Sequence, residues 1–296
     1  MPRIALATAI GSNDPDMPLL LKACARAGLQ CETLAWDDPT VSWARFDAVV
    51  LRATWNYAPQ RTRFLAWCKH VAGSTALLNP LRMIEWNTDK RYLTELAGDG
   101  LPVIDCTLVE PDVEPLPALQ PFLATGGAIG DFVVKPTVGA NAAGARRFGP
   151  GQEVAAANHL SGLLDAGQAA LLQPYLAAVD RGGETALIHI DGRFSHAVRK
   201  AALLAGDDGT AGTESTAPCQ AEEDERAVAH KTLAATIRRF NLERPPLYAR
   251  VDLIRDDNGT PRLLELELTE PSLFLGHAPE AAALLASALA ARLRHA

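Results

Sequence analysis

The chain has 296 residues, of which 48% are hydrophobic, and a formal net charge of -7. That much apolar sequence argues against intrinsic disorder, and the acidic balance argues against a general nucleic-acid binder. No apolar run approaches the ~18 residues of a membrane span, so we expect no membrane partner. The five cysteines are scattered without a CxxC pair, which favours a cytoplasmic protein with inert thiols over a zinc or disulfide framework.

The first part of the chain alternates between strand and helix patterns, which predicts a small doubly wound α/β unit with a parallel sheet. Strands are predicted over 3–9, 31–36, 47–51 and 76–78, and helices over 16–28 and 60–71. The run that follows the third strand lies at a carboxyl strand end, where open α/β sheets place ligands. Arg52, Thr54 and Asn56 in that run are candidates for holding a small substrate. Capping of the strand end and packing of Trp55 and Tyr57 are their alternative role.

A second section begins at Asn87-Thr88, which is predicted to cap a helix over 90–97. Lys90 falls in the first turn of that helix, where a cation opposes the helix dipole unless an anion is near. Lys135 ends the apolar strand 132–135, and a lysine in such a place indicates a buried anion partner. A helix over 153–164 and a strand over 171–173 complete the section.

Between strand and helix lies a loop almost without large side chains, residues 137–145. It reads G-x-x-x-x-G from Gly139 to Gly144, but Ala145-Arg146 stands where a P-loop needs Lys-Ser/Thr. It is therefore not a Walker A loop. Such a loop brings backbone N–H groups close to phosphates, and an ordinary Ala/Gly-rich surface loop is the alternative.

Two hairpins mark the last section, one turning at Asp191-Gly192 and the other at Asn258-Gly259. Their strands are predicted over 184–190, 193–200, 248–255 and 262–268. A two-residue turn in the first hairpin places Glu184 opposite Arg199 and puts Lys200 on the other face. The polar loop 206–219 separates the hairpins and is followed by predicted helices over 222–240 and 279–295; we expect this loop to close over a substrate.

A two-residue turn in the second hairpin places Asp252 opposite Glu265 and Arg250 opposite Glu267. Residues two apart share a face of a strand, so all four side chains point the same way. Facing carboxylates repel unless a cation binds, and hard oxygen ligands suit Mg²⁺. Arg250 would neutralise charge or hold a phosphate in the transition state. A solvated face with an Arg–Glu pair is the alternative. The intervening residues are predicted to face a core: Val251, Leu253, Leu264, Leu266 and Leu268.

The order and spacing of these parts resemble the ATP-grasp superfamily, and within it the glutathione-synthetase-like ligases. The matching pieces are Asn-Thr-Asp-Lys90, Val-Val-Lys135-Pro, the loop from Gly139 to Gly144, Gln173-Pro-Tyr, Gly-Glu184, the strand from His196 to Lys200, Arg250-Val-Asp252 and Leu-Glu265-Leu-Glu267-Leu-Thr-Glu-Pro271. The resemblance covers nearly the whole chain. It implies an ATP-grasp fold with an N-terminal doubly wound domain over 1–86, a central lid domain over 87–175 and a C-terminal antiparallel-sheet domain over 176–296.

The resemblance also implies which residues would bind ATP and magnesium. Lys90 and Lys135 would contact the phosphates, and Glu184 the ribose. The loop over the triphosphate would act through Gly139, Asn141 and Gly144, and the adenine would lie against Gln173, Tyr175 and Leu176. Two Mg²⁺ ions, with Mn²⁺ as an alternative, would be held by Asp252, Glu265 and Glu267. Many relatives have Asn in place of Glu267, so this site is more anionic.

More narrowly, residues 51–57 and the stretch from Leu-Asn-Pro80 to Lys90 resemble the O-ureido-serine cyclo-ligases of cycloserine biosynthesis. That resemblance implies activation of a carboxylate as an acyl phosphate and ring closure within one molecule, with Lys200 and Arg250 stabilising the acyl phosphate. An intermolecular amino-acid or peptide ligase, a small-molecule kinase and a non-catalytic nucleotide-binding protein are the alternatives. The expected partner is a small amino-acid-like substrate, and dimers are common in the family.

Overall fold

The computed structural model describes residues 1–127, 130–204 and 215–294. Its strands form three sheets, one parallel and two antiparallel. The α/β class predicted from the sequence is confirmed. Among the described helices, none combines the length and the apolar run that a bilayer crossing requires.

The N-terminal part is a parallel four-stranded sheet in the order β2-β1-β3-β4. Its elements are β1 (Arg3–Thr8), α1 (Met17–Arg26), β2 (Gln30–Ala35), β3 (Ala48–Leu51), α2 (Arg61–Ala72), β4 (Ala76–Leu78) and α3 (Leu81–Asn87). All four residues of β3 are buried, as expected for a parallel strand that is covered on both faces. A 3₁₀ helix, Trp55–Gln60, leads from the end of β3 into α2.

The central part is an antiparallel four-stranded sheet in the order β5-β8-β6-β7. Its elements are α4 (Tyr92–Gly98), β5 (Thr107–Val109), α5 (Pro115–Phe122), β6 (Phe132–Pro136), β7 (Arg146–Phe148), α6 (Glu153–Asp165) and β8 (Ala170–Pro174). Helix α5 was not predicted because its sequence is rich in proline. Proline is accepted in the first turn of a helix, where its missing N–H has no partner to lose.

The C-terminal part is an antiparallel five-stranded sheet in the order β11-β10-β9-β12-β13. Its elements are α7 (Val179–Gly182), β9 (Glu184–Ile190), β10 (Arg193–Lys200), β11 (Thr216–Cys219), α8 (Glu223–Arg239), β12 (Tyr248–Arg255), β13 (Pro261–Glu267) and α9 (Glu280–Leu293). Strand β11 corrects the prediction of a continuous loop over 206–219, because its residues pair with β10. Residues 206–214 of that loop lie outside the described part of the chain.

The predicted helix over 90–97 is wrong at its start. Asn87 is the last residue of α3, and α4 begins only at Tyr92. The Asn87 side chain instead pairs with the edge strand β13, donating to Leu266 O at 2.7 Å and accepting from Leu268 N at 2.7 Å. Lys90 lies in the link between the helices, so the argument from the helix dipole does not apply to it.

Helices outside the sheets join the three parts together. Helix α4 packs on the C-terminal sheet, where Leu93 and Leu96 share a core with Val251 and Leu266. Helix α9 packs on α1 and shares a core with strand β1. The division into three domains stays a prediction. Helix α4, which falls within the predicted central domain, packs on the C-terminal sheet.

A bulge changes the register of the first hairpin. Near the turn Arg193 pairs with Ile190, as a two-residue turn predicts, but the register shifts between Phe194 and His196. Beyond the shift Lys200 lies opposite Glu184, and Arg199 lies opposite Thr185. The predicted Glu184–Arg199 pair is therefore wrong. The bulge turns Lys200 to the face that carries the acidic residues.

The second hairpin has the predicted pairing at its far end, although its turn differs from the prediction. Arg250 lies opposite Glu267 and Asp252 opposite Glu265. The turn itself is longer than two residues, since Arg255 pairs with Pro261, and a shift next to Asp252 restores the register. Leu264 is the residue left unpaired by this bulge. It faces the cavity described below, which corrects its predicted place in the core.

Candidate active site

An elongated cavity runs between the central and C-terminal sheets and ends against the N-terminal part. One end is apolar. Ile104, Val179 and Ile254 form a small buried cluster there, with Leu176 and Leu264 packed against it. All of them line the cavity, and a slot of this kind suits a flat aromatic ring such as a purine base.

The residues predicted to lie against adenine flank this apolar end. Gln173, Tyr175 and Leu176 all line the cavity. The Arg147 guanidinium from β7 stacks on the Tyr175 ring, 3.8 Å from its centroid, and donates to Asp131 at 2.6 Å. The stacked pair holds the Tyr175 ring in place between the central sheet and the segment that follows it.

Two lysines from the central part face the middle of the cavity. Lys90 Nζ lies 2.8 Å from Gly139 O and 2.9 Å from Glu265 Oε1. Burial opposes its charge, but Glu265 raises the pKa of Lys90 above its ordinary value. Lys135 differs, because burial lowers the pKa of its ammonium group to about 8 against the attraction of Glu265. Both lysines are therefore placed to receive a polyanion.

The small-residue loop covers the same region. Gly139 and Asn141 line the cavity, and Asn141 and Ala142 both have φ of 54°. Such left-handed residues turn successive N–H groups toward one side, which suits a phosphate. Gly144 has a different role in this loop. Its φ is 75°, and a Cβ there would lie 3.2 Å from the Pro136 ring, so it shapes the loop without lining the cavity.

A largely buried ion network forms one wall of the cavity. Lys200 Nζ lies 2.9 Å from Glu184 Oε2 and 3.1 Å from Asp252 Oδ2. Arg250 Nε donates to Asp252 Oδ1 at 2.9 Å, and Arg250 also contacts Glu267. Although burial opposes its charge, Asp252 and Glu184 raise the pKa of Lys200 well above its ordinary value. Burial favours the neutral acid at Asp252, but Arg250 and Lys200 hold the pKa of that carboxyl below its ordinary value.

The three predicted metal ligands occupy one face of the hairpin, but each is held by a cation. Asp252 is paired with Arg250 and Lys200, Glu265 with Lys90, and Glu267 with Arg250. Within the described chain no group of three or more acidic, His or Cys side chains converges in metal-binding geometry. Burial, reinforced by Glu265, raises the pKa of Glu267 to about 7. Asp252, Glu265 and Glu267 supply hard carboxylate oxygens on one face of the hairpin, and this donor chemistry fits Mg²⁺.

The candidates in the run after β3 are turned away from the cavity. Arg52, Thr54 and Asn56 do not line it, whereas their neighbours Trp55 and Tyr57 do. Asn56 bonds Trp36 and Asp37 instead, at 2.7 and 2.8 Å. Thr54 is fully buried, and its hydroxyl has no hydrogen-bond partner among the described residues.

Arg52 forms a fully buried network that supports the site from behind. Its guanidinium lies 3.2 Å from Asp14 Oδ2 and 3.2 Å from Asp16 Oδ2, and it donates to Pro271 O at 3.2 Å. Asp16 accepts from the backbone N–H groups of Leu273 and Leu275 at 2.8 and 2.7 Å. Arg52 therefore fixes the segment that follows β13.

That segment supplies two cavity residues to which the sequence analysis assigned no role, Glu270 and Ser272. Arg250 Nη1 donates to Ser272 O at 3.2 Å. Burial, with Glu267 adding to it, raises the pKa of Glu270 to about 8. The signal in the sequence was the run Leu-Thr-Glu-Pro271 directly after the acidic strand, which carries a further acid beyond Glu265 and Glu267.

The geometry gives one cavity with an apolar end, a cationic middle covered by a small-residue loop, and a carboxylate-rich far end. This fold and this site define an ATP-grasp ligase. A D-alanine–D-alanine ligase from Bacillus anthracis superimposes with a TM-score of 0.66 over 100% of this chain and 99% of its own, at 15% identity. That likeness shows the shared fold.

Closer relatives narrow the class. The N-terminal domain of D-cycloserine synthetase DcsG matches residues 4–79. The cycloserine biosynthesis protein DcsG of Streptomyces lavendulae is 43% identical over 284 residues, covering 95% of each chain. The crystal structure of D-cycloserine synthetase DcsG superimposes with a TM-score of 0.95 at 42% identity, over 98% of this chain and 99% of that one. The chain belongs to the D-cycloserine synthetase DcsG family, and it is an ATP-dependent ligase.

Proposed function

We propose that the protein cyclises O-ureido-D-serine to D-cycloserine at the expense of ATP. The near full-length similarity to DcsG carries this proposal, at 43% identity over 95% of each chain. The site supports it through chemistry, since cations and carboxylates surround one cavity and no histidine is among its described lining residues. Positioning and charge neutralisation are what a phosphoryl transfer asks of its enzyme.

The first step forms an acyl phosphate. A carboxylate oxygen of the substrate attacks the γ-phosphorus of ATP, and the bond to the β–γ bridging oxygen breaks to release ADP. Lys90 and Lys135 hold the phosphates, and Lys200 and Arg250 stabilise the charge on the acyl phosphate. Adenine lies in the apolar end against Tyr175 and Leu176, and Glu184 lies beside the ribose.

The second step closes the ring. The ureido nitrogen bonded to oxygen attacks the activated carbonyl carbon, and inorganic phosphate leaves. Water then cleaves the bond between this nitrogen and the carbamoyl carbon, so that the carbamoyl group leaves as carbon dioxide and ammonia. Because the nucleophile and the electrophile belong to one molecule, the cavity needs to hold only one acceptor beside ATP.

Magnesium completes the site, as two ions with Mn²⁺ as a substitute. Asp252, Glu265 and Glu267 would hold it, and it would neutralise the phosphates during transfer. The Glu265 and Glu267 side chains keep 25% and 26% of their surface exposed, so they are accessible to an ion. Their present partners, Lys90 and Arg250, would then be released to the phosphates.

The reaction is tested by measuring ADP release over a panel of amino acids that includes O-ureido-D-serine, with products identified by mass spectrometry. We expect ADP release with O-ureido-D-serine alone and D-cycloserine as the product. ADP release that depends on a second amino acid would identify an intermolecular ligase. A stable phosphorylated product would identify a kinase. Either result would overturn the proposed reaction.

The metal assignment has its own test, the variant Glu265→Gln. We expect it to lose turnover and to lose Mg²⁺-dependent tightening of ATP binding in calorimetry, while its thermal unfolding stays cooperative. The exposed variant Glu243→Gln is the control and keeps both. Near-normal ADP release by Glu265→Gln would contradict the assignment. The homodimer and the cytoplasmic location stay predictions.

A further inference from the structure

A buried acid, Glu270, closes the far end of the cavity. It is 9% exposed and lines the cavity beside Trp55 and Tyr57. Among the residues that the structure describes, no Lys, Arg or His forms an ion pair with this acid.

The other acids of the cavity wall differ in this respect. Glu184 is paired with Lys200 and Glu265 with Lys90, both at 2.9 Å, and Glu267 is paired with Arg250. Burying an ionised carboxylate without a cation beside it is unfavourable in free energy, because the charge loses its hydration. A positively charged group of a bound ligand would therefore stabilise the ionised form of Glu270.

The backbone around Glu270 is held on both sides. Trp55 Nε1 donates to Glu270 O at 3.1 Å, and the Tyr248 hydroxyl donates to Thr269 O at 2.9 Å. Arg52 donates to Pro271 O on the far side at 3.2 Å. Groups from two different parts of the chain thus fix this short segment, as expected for a site that must hold a ligand in one geometry.

We infer that Glu270 binds the α-ammonium group of the amino-acid substrate. The inference rests on the proposed function in one respect, that the substrate is an α-amino acid activated at its carboxylate. That carboxylate has to reach the phosphate end beside Lys200 and Arg250, and the ammonium group is attached to the adjacent carbon. The ammonium group therefore lies at the end of the cavity that Glu270 closes.

This assignment makes Glu270 a specificity residue. A carboxylic acid without the α-ammonium group would forgo the ion pair with Glu270, and that acid would have to be protonated when such a ligand fills the site. N-acylated amino acids would be rejected for the same reason and also for their size. The site would thus select free α-amino acids from the other carboxylates of a cell.

The test compares an amino-acid substrate with its deamino analogue on wild type and on Glu270→Gln, with kcat/KM from ADP release. Removing the ammonium group should lower kcat/KM of wild type by roughly 100-fold or more, as for other buried charge pairs. In Glu270→Gln the same change should cost less than about threefold, because the partner charge is already absent. KM for ATP should stay unchanged. Glu243→Gln, at an exposed position, should behave as wild type.

Equal penalties in wild type and Glu270→Gln would overturn the assignment. A loss confined to kcat, with unchanged KM for the amino acid, would also overturn it by indicating proton transfer instead. The comparison uses whichever amino acid of the panel supports ADP release. If that amino acid is not O-ureido-D-serine, the proposed cyclisation is overturned. The role of Glu270 is still decided by comparing, in wild type and in Glu270→Gln, the ratio of kcat/KM for the amino acid to kcat/KM for its deamino analogue.

Discussion

Lys200 lies opposite Glu184 because a bulge near the turn shifts strand β10 by one residue, and their charged atoms are 2.9 Å apart. Asp252 on the neighbouring strand lies 3.1 Å from the same ammonium group. All three side chains are buried. Removing the lysine would leave two buried carboxylates with one cation fewer.

We expect Lys200→Met to lose about 3–5 kcal/mol of unfolding free energy near neutral pH, the usual cost of breaking a buried pair. Urea unfolding measures this loss. Burial raises the pKa of Glu184 above its ordinary value, so this acid takes up a proton more readily than a free carboxyl as pH falls, and the deficit in unfolding free energy should shrink as pH falls below neutral. Lys200→Arg keeps the charge and should lose much less. A deficit that is constant with pH would argue against an electrostatic origin.

ATP binding should weaken with rising pH because of Lys135. Burial lowers the pKa of this ammonium group to about 8, so the free protein loses the charge above that pH. The phosphates need a charged lysine, so the affinity for ATP should fall as pH rises through about 8. Well above that pH the affinity should drop by about tenfold for each pH unit. Calorimetric titration with ATP at several pH values measures it. Lys135→Arg stays charged and should bind equally well from pH 7 to about pH 9; a matching decline there would assign the effect to another group.

Arg52 should be a structural residue with an indirect effect on the substrate. Arg52→Met leaves Asp14 and Asp16 buried without their cation, and we expect a loss of about 3–5 kcal/mol in urea unfolding. Arg52→Lys should recover only part of it, since an ammonium group does not reproduce the planar fork. KM for the amino acid should rise because the segment at Pro271 is released.

Arg45→Met is the matched control for this change. Arg45 is 41% exposed and pairs with Glu32 at 2.7 Å in the same part of the chain. Exposed pairs contribute about 0–1 kcal/mol, so its stability should stay near that of wild type. Equal losses in the two methionine variants would show that Arg52 is not the centre of a buried network.

Alanine substitutions at two glycines with positive φ distinguish the cost of steric crowding from the cost of backbone strain. Gly183 has φ of 68°, and a Cβ there would lie 2.4 Å from Lys200 O, whereas Gly259 has φ of 77° and no atom within 4 Å. Gly259→Ala should cost roughly 1–2 kcal/mol from its φ alone. Gly183→Ala adds overpacking of about 1–3 kcal/mol and displaces Lys200. Thermal unfolding compares the two variants. Equal shifts in Tm would mean that the backbone at Lys200 moves away from the new methyl group at little cost in free energy.

The sequence predicted the strands of both hairpins closely, because turn dipeptides and alternating apolar residues are local signals. It did not predict the bulges. In the second hairpin a longer turn and a bulge offset each other, so Asp252 still faces Glu265. In the first hairpin the turn was as expected, and the bulge alone moved Lys200 to the face of Asp252. Where a bulge falls depends on packing across the sheet, which local sequence does not encode.

The sequence by itself determined the family, the strand order along the chain, and the charged residues that meet at the cavity. These depend on residue identity, spacing and periodicity. The tertiary structure decided which side chains of the run after β3 face the cavity, since Trp55 and Tyr57 turn in and Arg52 turns back to Asp14 and Asp16. It also placed Glu270 beside them. Such placement follows from contacts between segments more than 200 residues apart, such as Trp55 and Glu270, which only the folded chain brings together.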